Sequence, residues 1–267
     1  MEKKTFDAFR QIVYDKAGIH INDNKVALVA ARVGKRMREL SLESDGAYLD
    51  LVLTDDSGAE IVNLLDVIST NVTSFFRESN HFGVLADLVG RWYLAGLRKF
   101  RFWCAASSTG EEPYTMAMTV TDALNGRPAD VKILATDIST RVLSKCEAGV
   151  YSDQKIGPVP PGFKNRFFVK RTTEKGLSWA VRPEVKEMVT FSRLNLSKPP
   201  FPMNGPFDGI FCRNVMIYFD NTVRKNLLTD LYRLVKANGY LFVGHAESLT
   251  GLLSGFKAVM PSVYVKE

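Results

Sequence analysis

Through the first 95 residues apolar side chains recur every three or four positions, whereas from Lys99 onward they fall in short unbroken runs. The early spacing is that of helices burying one stripe. Thr5 precedes Phe6, Phe9, Ile12 and Val13, a stripe that stops at Ala17-Gly18, and Asn22-Asp23 can cap a second helix running to about Leu40. Gly46 to Leu53 predict a third, short helix. Ser57 and Glu60 form a capping box at the head of the apolar-periodic GAEIVNLLDVI. These elements predict a small all-helical domain, set at residues 1–85.

The later runs, FRFWCA, VKILATD, MVTFSRL, FDGIFCR and GYLFVGH, are separated by helical stretches, which is the pattern of a doubly wound α/β sheet. The closing FKAVMPSVYVKE holds two strand-like runs around Met260-Pro261-Ser262 and predicts a hairpin adding antiparallel pairing at the sheet's end. Between Tyr151 and Glu184 the alternation breaks. There Gly157-Pro-Val-Pro-Pro-Gly162 leads into FFVKRTTEKGLSWAV, two strand-like runs around a Thr-Glu-Lys-Gly turn. A small β insertion at about 155–187, inside an α/β domain of 86–267, accounts for this segment. No internal repeat or low-complexity tract is evident.

With 267 residues and 46% hydrophobic content the chain can bury a large core. No apolar run approaches the ~20 residues that cross a bilayer, and MEKKTFDAFRQ lacks the apolar core of a secretory signal. A cytoplasmic globular protein without membrane insertion is expected. The net charge of +6 leaves nucleic acid, an anionic membrane surface or an acidic protein as partners. Cys104, Cys146 and Cys212 are odd in number and far apart, and His20, His81 and His245 match no zinc spacing, so structural thiols and no metal are expected.

The richest chemistry lies in GPFDGIFCRNVMIYFD, residues 205–220, where a buried strand ends in polar groups. Ligands of open α/β sheets bind at such carboxyl ends, which makes Arg213, Asn214 and Tyr218 site residues. After the first strand, CAASSTGEEP has one glycine and sets Glu111 and Glu112 at the positive end of a helix. A pyrophosphate would be repelled there. The pair suits a cationic ligand without phosphate, such as S-adenosylmethionine with its ammonium and sulfonium, although it also complements the helix dipole with no ligand at all. Asp137 ends the second strand where nucleotide folds place an acid on ribose hydroxyls, ~20 residues past the glycine loop; such an acid is also a common loop cap. The segment STNVTSFFRE, residues 69–78, reads either as an inter-domain helix start anchored by Phe75 and Phe76 or as a lid carrying Asn71, Thr73 and Arg77 over a cleft.

Taken in order, TNVTSFFRE, CAASSTGEEPYT, ILATDIS, FSRLNL, FDGIFCRNVMIYFD and GYLFVGHAESL resemble the CheR family of chemotaxis receptor methyltransferases over nearly the whole chain. The resemblance implies an all-helical amino-terminal domain, a Rossmann-like S-adenosylmethionine-dependent methyltransferase domain and a small antiparallel β-subdomain inserted in it. It implies methyl transfer to glutamate side chains of methyl-accepting chemotaxis receptors, with S-adenosylhomocysteine as product. Cofactor contacts implied are Asn71, Thr73, Arg77, Glu111, Asp137, Asn195 with Leu196, and Arg213 with Asn214. Arg77 and Tyr218 are implied near the transferring methyl. As partners the resemblance implies the receptors' cytoplasmic helical bundle and, at the β-subdomain, a receptor carboxyl-terminal peptide. Lys25, Arg32 and Arg36 share one face of the second helix by spacing, with Lys35 and Arg38 close by, and the resemblance makes that face the docking surface for acidic methylation helices.

Two other functions compete. NLSKPPF at residues 195–201 resembles the Asn/Asp-Pro-Pro-aromatic signature of nucleic-acid amino methyltransferases, but Lys198 stands where a hydrogen-bond acceptor is required. A non-catalytic S-adenosylmethionine-binding module would not need Arg77, Asp137 and Tyr218 together.

Overall fold

The computed structural model describes residues 1–267 apart from Thr70, Glu174, Lys175, Thr250, Leu253 and Ser254, and apart from the side chain of Thr173. Helix α1 (Lys3–Ala17) buries Phe6, Phe9 and Val13 and ends at Gly18, whose φ of 67° is the left-handed conformation that closes a helix without strain in glycine. A 3-10 turn over Asp23–Lys25 leads into α2 (Val26–Glu39). Asn22 makes no side-chain cap there, and Asp23 pairs with Arg10 of α1. Helices α3 (Asp45–Thr54) and α4 (Ala59–Ile68) close a core in which Phe9, Val33, Tyr48 and Leu64 meet.

The capping box does not form. Ser57 Oγ accepts only from the Ala59 amide, and Asp55 takes the amide of Glu60. The Glu60 side chain turns inward instead, where Arg36 Nε and Nη2 each donate to it at 2.8 Å and Tyr48 Oη donates at 2.9 Å. Burial opposes ionisation of Glu60, but the Arg36 hydrogen bonds and charge outweigh it and hold the carboxyl below its ordinary range.

Helix α5 (Asn80–Leu94) packs elsewhere, sending Phe82, Leu85 and Leu88 into the core shared with Phe100 and Phe102. The α/β portion then runs β1 (Lys99–Cys104), α6 (Glu111–Leu124), β2 (Asp130–Asp137) and α7 (Thr140–Ala148). The insertion follows as β3 (Val150–Ser152), α8 (Asp153–Ile156), α9 (Pro161–Phe167), β4 (Phe168–Thr173), β5 (Gly176–Val181) and α10 (Pro183–Lys186). The chain closes with β6 (Val189–Arg193), β7 (Phe207–Cys212), α11 (Asn221–Leu234), β8 (Val235–Val243), β9 (Phe256–Met260) and β10 (Val263–Lys266).

The main sheet has the order β6-β2-β1-β7-β8-β10-β9. Five strands are parallel, and β10 pairs antiparallel with both β8 and β9. The expected hairpin is thus present. Alternation along β1 divides the two faces: Phe100, Phe102 and Cys104 enter the core with α5 and α6, while Trp103 joins that of α11. The insertion forms its own antiparallel sheet, β3-β5-β4; the turn expected at Glu174-Lys175 lies outside the described residues. Among the described residues no helix is long and apolar enough to cross a membrane.

The basic face expected on α2 is divided. Lys25, Lys35 and Arg38 are exposed, but Arg36 meets Glu60 and Arg32 donates to the Ile68 carbonyl. A spacing of four also describes the buried pair Val29 and Val33, so spacing does not separate solvated cations from inward ones. Arg36→Glu is accordingly expected to destabilise the fold by about 3–5 kcal/mol, since it leaves a buried carboxylate facing a like charge. Lys35→Glu should cost little. Denaturant unfolding of the two variants checks this, and equal midpoints would contradict it.

Candidate active site at the carboxyl end of the sheet

Strands β1, β2 and β7 end together on one edge, and beyond them lies a cavity of about 900 Å³, its open mouth included. Asn71, Thr73, Arg77, Asp137, Asn195, Leu196, Arg213, Asn214 and Tyr218 all line it. Sequence distance among these is large; the sheet edge is what gathers them. Glu111 does not line it. Its carboxylate is fully buried behind the loop, accepting from Thr109 Oγ1 and Lys155 Nζ at 2.6 Å each. The neighbouring Glu112 faces the cavity instead.

Asp137 is held by two backbone amides, Ser108 at 2.8 Å and Ser139 at 3.0 Å, one on each carboxylate oxygen. It therefore caps two loops and also lines the cavity. Burial is the largest influence on its acidity and pushes its pKa up to about 6, against the two amides that favour the anion. Gly110 has φ 96°, and a Cβ there would stand 2.6 Å from Tyr151 Oη. The single glycine of the loop is thus required by packing against Tyr151, which itself donates to the Thr109 carbonyl.

At the centre of the polar wall lies Arg213, with no exposed side-chain surface. Its Nη1 donates to Glu112 at 2.9 Å, and its Nη2 to Glu78 at 2.9 Å and to the Arg77 carbonyl at 2.5 Å. Glu78 also accepts from Asn214 Nδ2 and from the His245 amide. Burial disfavours its charge, yet Arg213 prevails and lowers the Glu78 pKa; for Glu112 burial prevails and the pKa is raised. Glu247, buried, accepts from the amides of Gly244, Asn214 and Ile217 and so anchors the turn that follows β7. A Cβ on Gly244 would lie 2.8 Å from that carboxylate. The sequence gives Glu247 no role within GYLFVGHAESL and Glu78 none within STNVTSFFRE, whereas Glu112 is read there with Glu111 as a pair suited to a cationic ligand; acids inside a motif that otherwise reads as loop are the available signal.

The segment before α5 is anchored by its phenylalanines and lines the cavity through Asn71, Thr73 and Arg77. Phe75 packs edge-on against Tyr151 and Phe168 of the insertion, and Phe76 against Phe82 and Phe163. Between these anchors and the cavity Arg77 Nη1 donates to the Val72 carbonyl at 2.9 Å, closing the loop on itself. Phe76 and Glu78 adopt φ of 56° and 53°, an uncommon conformation for such residues.

Glu78, His81 and His245 bring potential metal-ligand atoms within 4.8 Å of one another, the one such group among the described residues. Both Glu78 oxygens are already engaged, one by a guanidinium. His81 is wholly buried, and burial first, then Arg213, push its pKa down to about 4. It stays neutral beside the charge. In the NLSKPPF stretch Asn195 and Leu196 line the cavity, whereas Phe201 is buried edge-on against Trp103 and Lys198 is exposed.

The cavity fits a cationic nucleoside. Ile138, Leu194, Leu196 and Val215 offer apolar faces for a flat base, Ala105, Ala106 and Ser108 leave backbone accessible, and Glu112 and Asp137 supply carboxylates. A mixed sheet of this order with such a cavity is that of an S-adenosylmethionine-dependent methyltransferase. Residues 71–265 match the CheR methyltransferase SAM binding domain, and residues 4–69 match the CheR methyltransferase all-alpha domain. The chain belongs to the CheR methyltransferase family. It is 39% identical to the chemotaxis protein methyltransferases of Salmonella typhimurium and Escherichia coli, over 95% and 97% of this chain and 87% and 89% of theirs. With chemotaxis protein methyltransferase 2 of Pseudomonas aeruginosa it shares 37% identity over 98% of this chain and 92% of that relative.

Proposed function

We propose that this enzyme esterifies glutamate side chains in the cytoplasmic helical bundle of methyl-accepting chemotaxis receptors, with Arg77 and Tyr218 beside the reacting carboxylate. The observation that carries this reading is the cavity's lining: Glu112 and Asp137 present carboxylates beside the small residues Ala105, Ala106 and Ser108 and apolar side chains, while Arg213 is neutralised by Glu78 and Glu112, a setting that suits a cationic nucleoside cofactor. S-adenosylmethionine, when bound, supplies an electrophilic methyl on a sulfonium. Asp137 would accept from its ribose hydroxyls, Leu196 and Ile138 would flank its base, and Asn71, Thr73, Asn195, Arg213 and Asn214 would complete its pocket. Glu111 would act from behind the loop, through Thr109 and Lys155.

A glutamate carboxylate, with an ordinary pKa of about 4.3, is already ionised at neutral pH and needs no general base. What the protein's residues must supply is alignment, which can contribute up to ~7–11 kcal/mol of the barrier. Arg77 stands at the mouth on a loop that its own guanidinium closes, and it suits positioning rather than electrostatic driving, since a strong cation on the nucleophile would stabilise the reactant more than the transition state. Tyr218 lines the same mouth and can orient a carboxylate through its hydroxyl. Cofactor and receptor filling the cavity would displace water, which favours a step that annihilates charge.

The receptor would dock on the outer face of α2, through Lys25, Lys35 and Arg38, with Arg32 and Arg36 serving the domain's interior. The separate sheet β3-β5-β4 would offer the edge for a receptor carboxyl-terminal peptide.

Radiolabelled methyl transfer to receptor-containing membranes, with RNA in parallel, tests the substrate. Label should enter the receptor and be released as methanol in alkali, as esters are; stable label, or label in RNA, would overturn the assignment. Asp137 sets a pH expectation. Its raised pKa means that burying the anion costs stability in full above pH about 6, a cost that shrinks as pH falls and vanishes only below the ordinary value of 3.8, whereas the ribose contact needs the anion. Cofactor affinity should therefore fall as pH drops through about 6, and Asp137→Asn should bind weakly with a flat profile in calorimetry. Wild-type affinity that is constant from pH 7.5 to about 5 would remove Asp137 from the contact. For docking, Lys35→Glu with Arg38→Glu should slow methylation at subsaturating receptor and flatten its salt dependence without altering cofactor affinity. An unchanged rate and salt response would move the docking face elsewhere.

A further inference from the structure

We propose that Tyr14 and Gly18, at the end of α1, are positioning residues for methyl transfer, holding the turn that bears Tyr218 from across the domain junction. The inference rests on Tyr218 standing beside the reacting carboxylate.

Tyr218 sits on a three-residue turn, Met216–Tyr218, whose amino-terminal side is fixed by Glu247. Its carboxyl-terminal side is fixed by the helical domain. The His20 amide donates to the Tyr218 carbonyl at 2.7 Å, and Ile19 forms an antiparallel bridge with Phe219. One residue further, Asp220 accepts from Tyr14 Oη at 2.6 Å while capping α11 through the Val223 amide at 2.8 Å. Gly18 brings the two chains together: a Cβ there would lie 2.4 Å from Ser197 Cβ, so the connector rests on the α/β surface at backbone distance. Next to it the Lys16 carbonyl accepts from Asn195 Nδ2 at 2.6 Å. The end of α1 thus grips the Tyr218 turn and the Asn195 loop at once.

A tether between domains would need none of these bonds, and the α1–α2 connector is placed where a small displacement moves Tyr218. Misplacement of a catalytic group by about 1 Å can cost on the order of 100-fold in rate. Tyr14→Phe removes one bond and no volume to speak of. It is expected to lower kcat for receptor methylation by about tenfold while leaving the cofactor Kd within about twofold. Hydrogen exchange of residues 215–219 in the free protein should quicken. Val52→Ala in α3, which loosens the helical core outside the clasp, serves as control and should leave kcat unchanged at a temperature where both variants are folded. Equal kcat for wild type and Tyr14→Phe would overturn the proposal, as would parallel losses in kcat and cofactor affinity, or a like fall in the control. Unchanged exchange in Tyr14→Phe rejects the clasp whatever the substrate, and absence of receptor methylation by the wild type rejects the substrate assignment alone.

Discussion

Arg213 carries a full charge into a place where none of its side chain meets solvent. A guanidinium cannot shed its proton to escape the cost of desolvation, so partners have to be brought to it. Those partners come from two distant parts of the chain: the Arg77 carbonyl and Glu78 before α5, and Glu112 in the first turn of α6. Satisfying one cation therefore fixes the segment before α5, the start of α6 and the end of β7 relative to one another. The cavity is the space left between them.

The same constraint bears on the electrostatics of the site. Glu78 and Glu112 together neutralise Arg213, and Glu112, whose pKa burial raises, holds its proton more readily than an exposed glutamate would. An arginine whose Nη groups are already bound to carboxylates offers a phosphate little, so the neutralisation of this buried cation shapes the pocket without any contact designed to exclude a dinucleotide.

Much of this was legible in the sequence. FDGIFCR reads as a strand because all six residues of β7 are buried, and a strand covered on both faces leaves an unbroken apolar run. Asp137, Arg213 and Asn214 were accessible because they sit at strand ends, where topology itself predicts ligands. Other residues were not accessible in this way. Glu60 was read as half of a capping box, since that pattern is local, while its actual partners Arg36 and Tyr48 are fixed by tertiary packing. Arg32 and Arg36 failed for a related reason: helical periodicity gives the face, and only the fold says which face is inside. Glu111 and Glu112 are adjacent and identical in type, and it took the helix's orientation to decide that the second lines the cavity. Glu247 does its work through three backbone amides, partners that leave no trace in residue type.

Cys104, Cys146 and Cys212 are buried, and burial pushes all three thiols up, Cys146 to about 12 and the other two well above their ordinary value. As thiols rather than thiolates, and out of reach, they are poor nucleophiles in the native protein. All three lie in the catalytic half and none in the helical domain. The chain therefore carries its own gauge of local opening: the speed at which a thiol reagent labels it reports how often the sheet and its flanking helices part, and is blind to fraying of the amino-terminal helices.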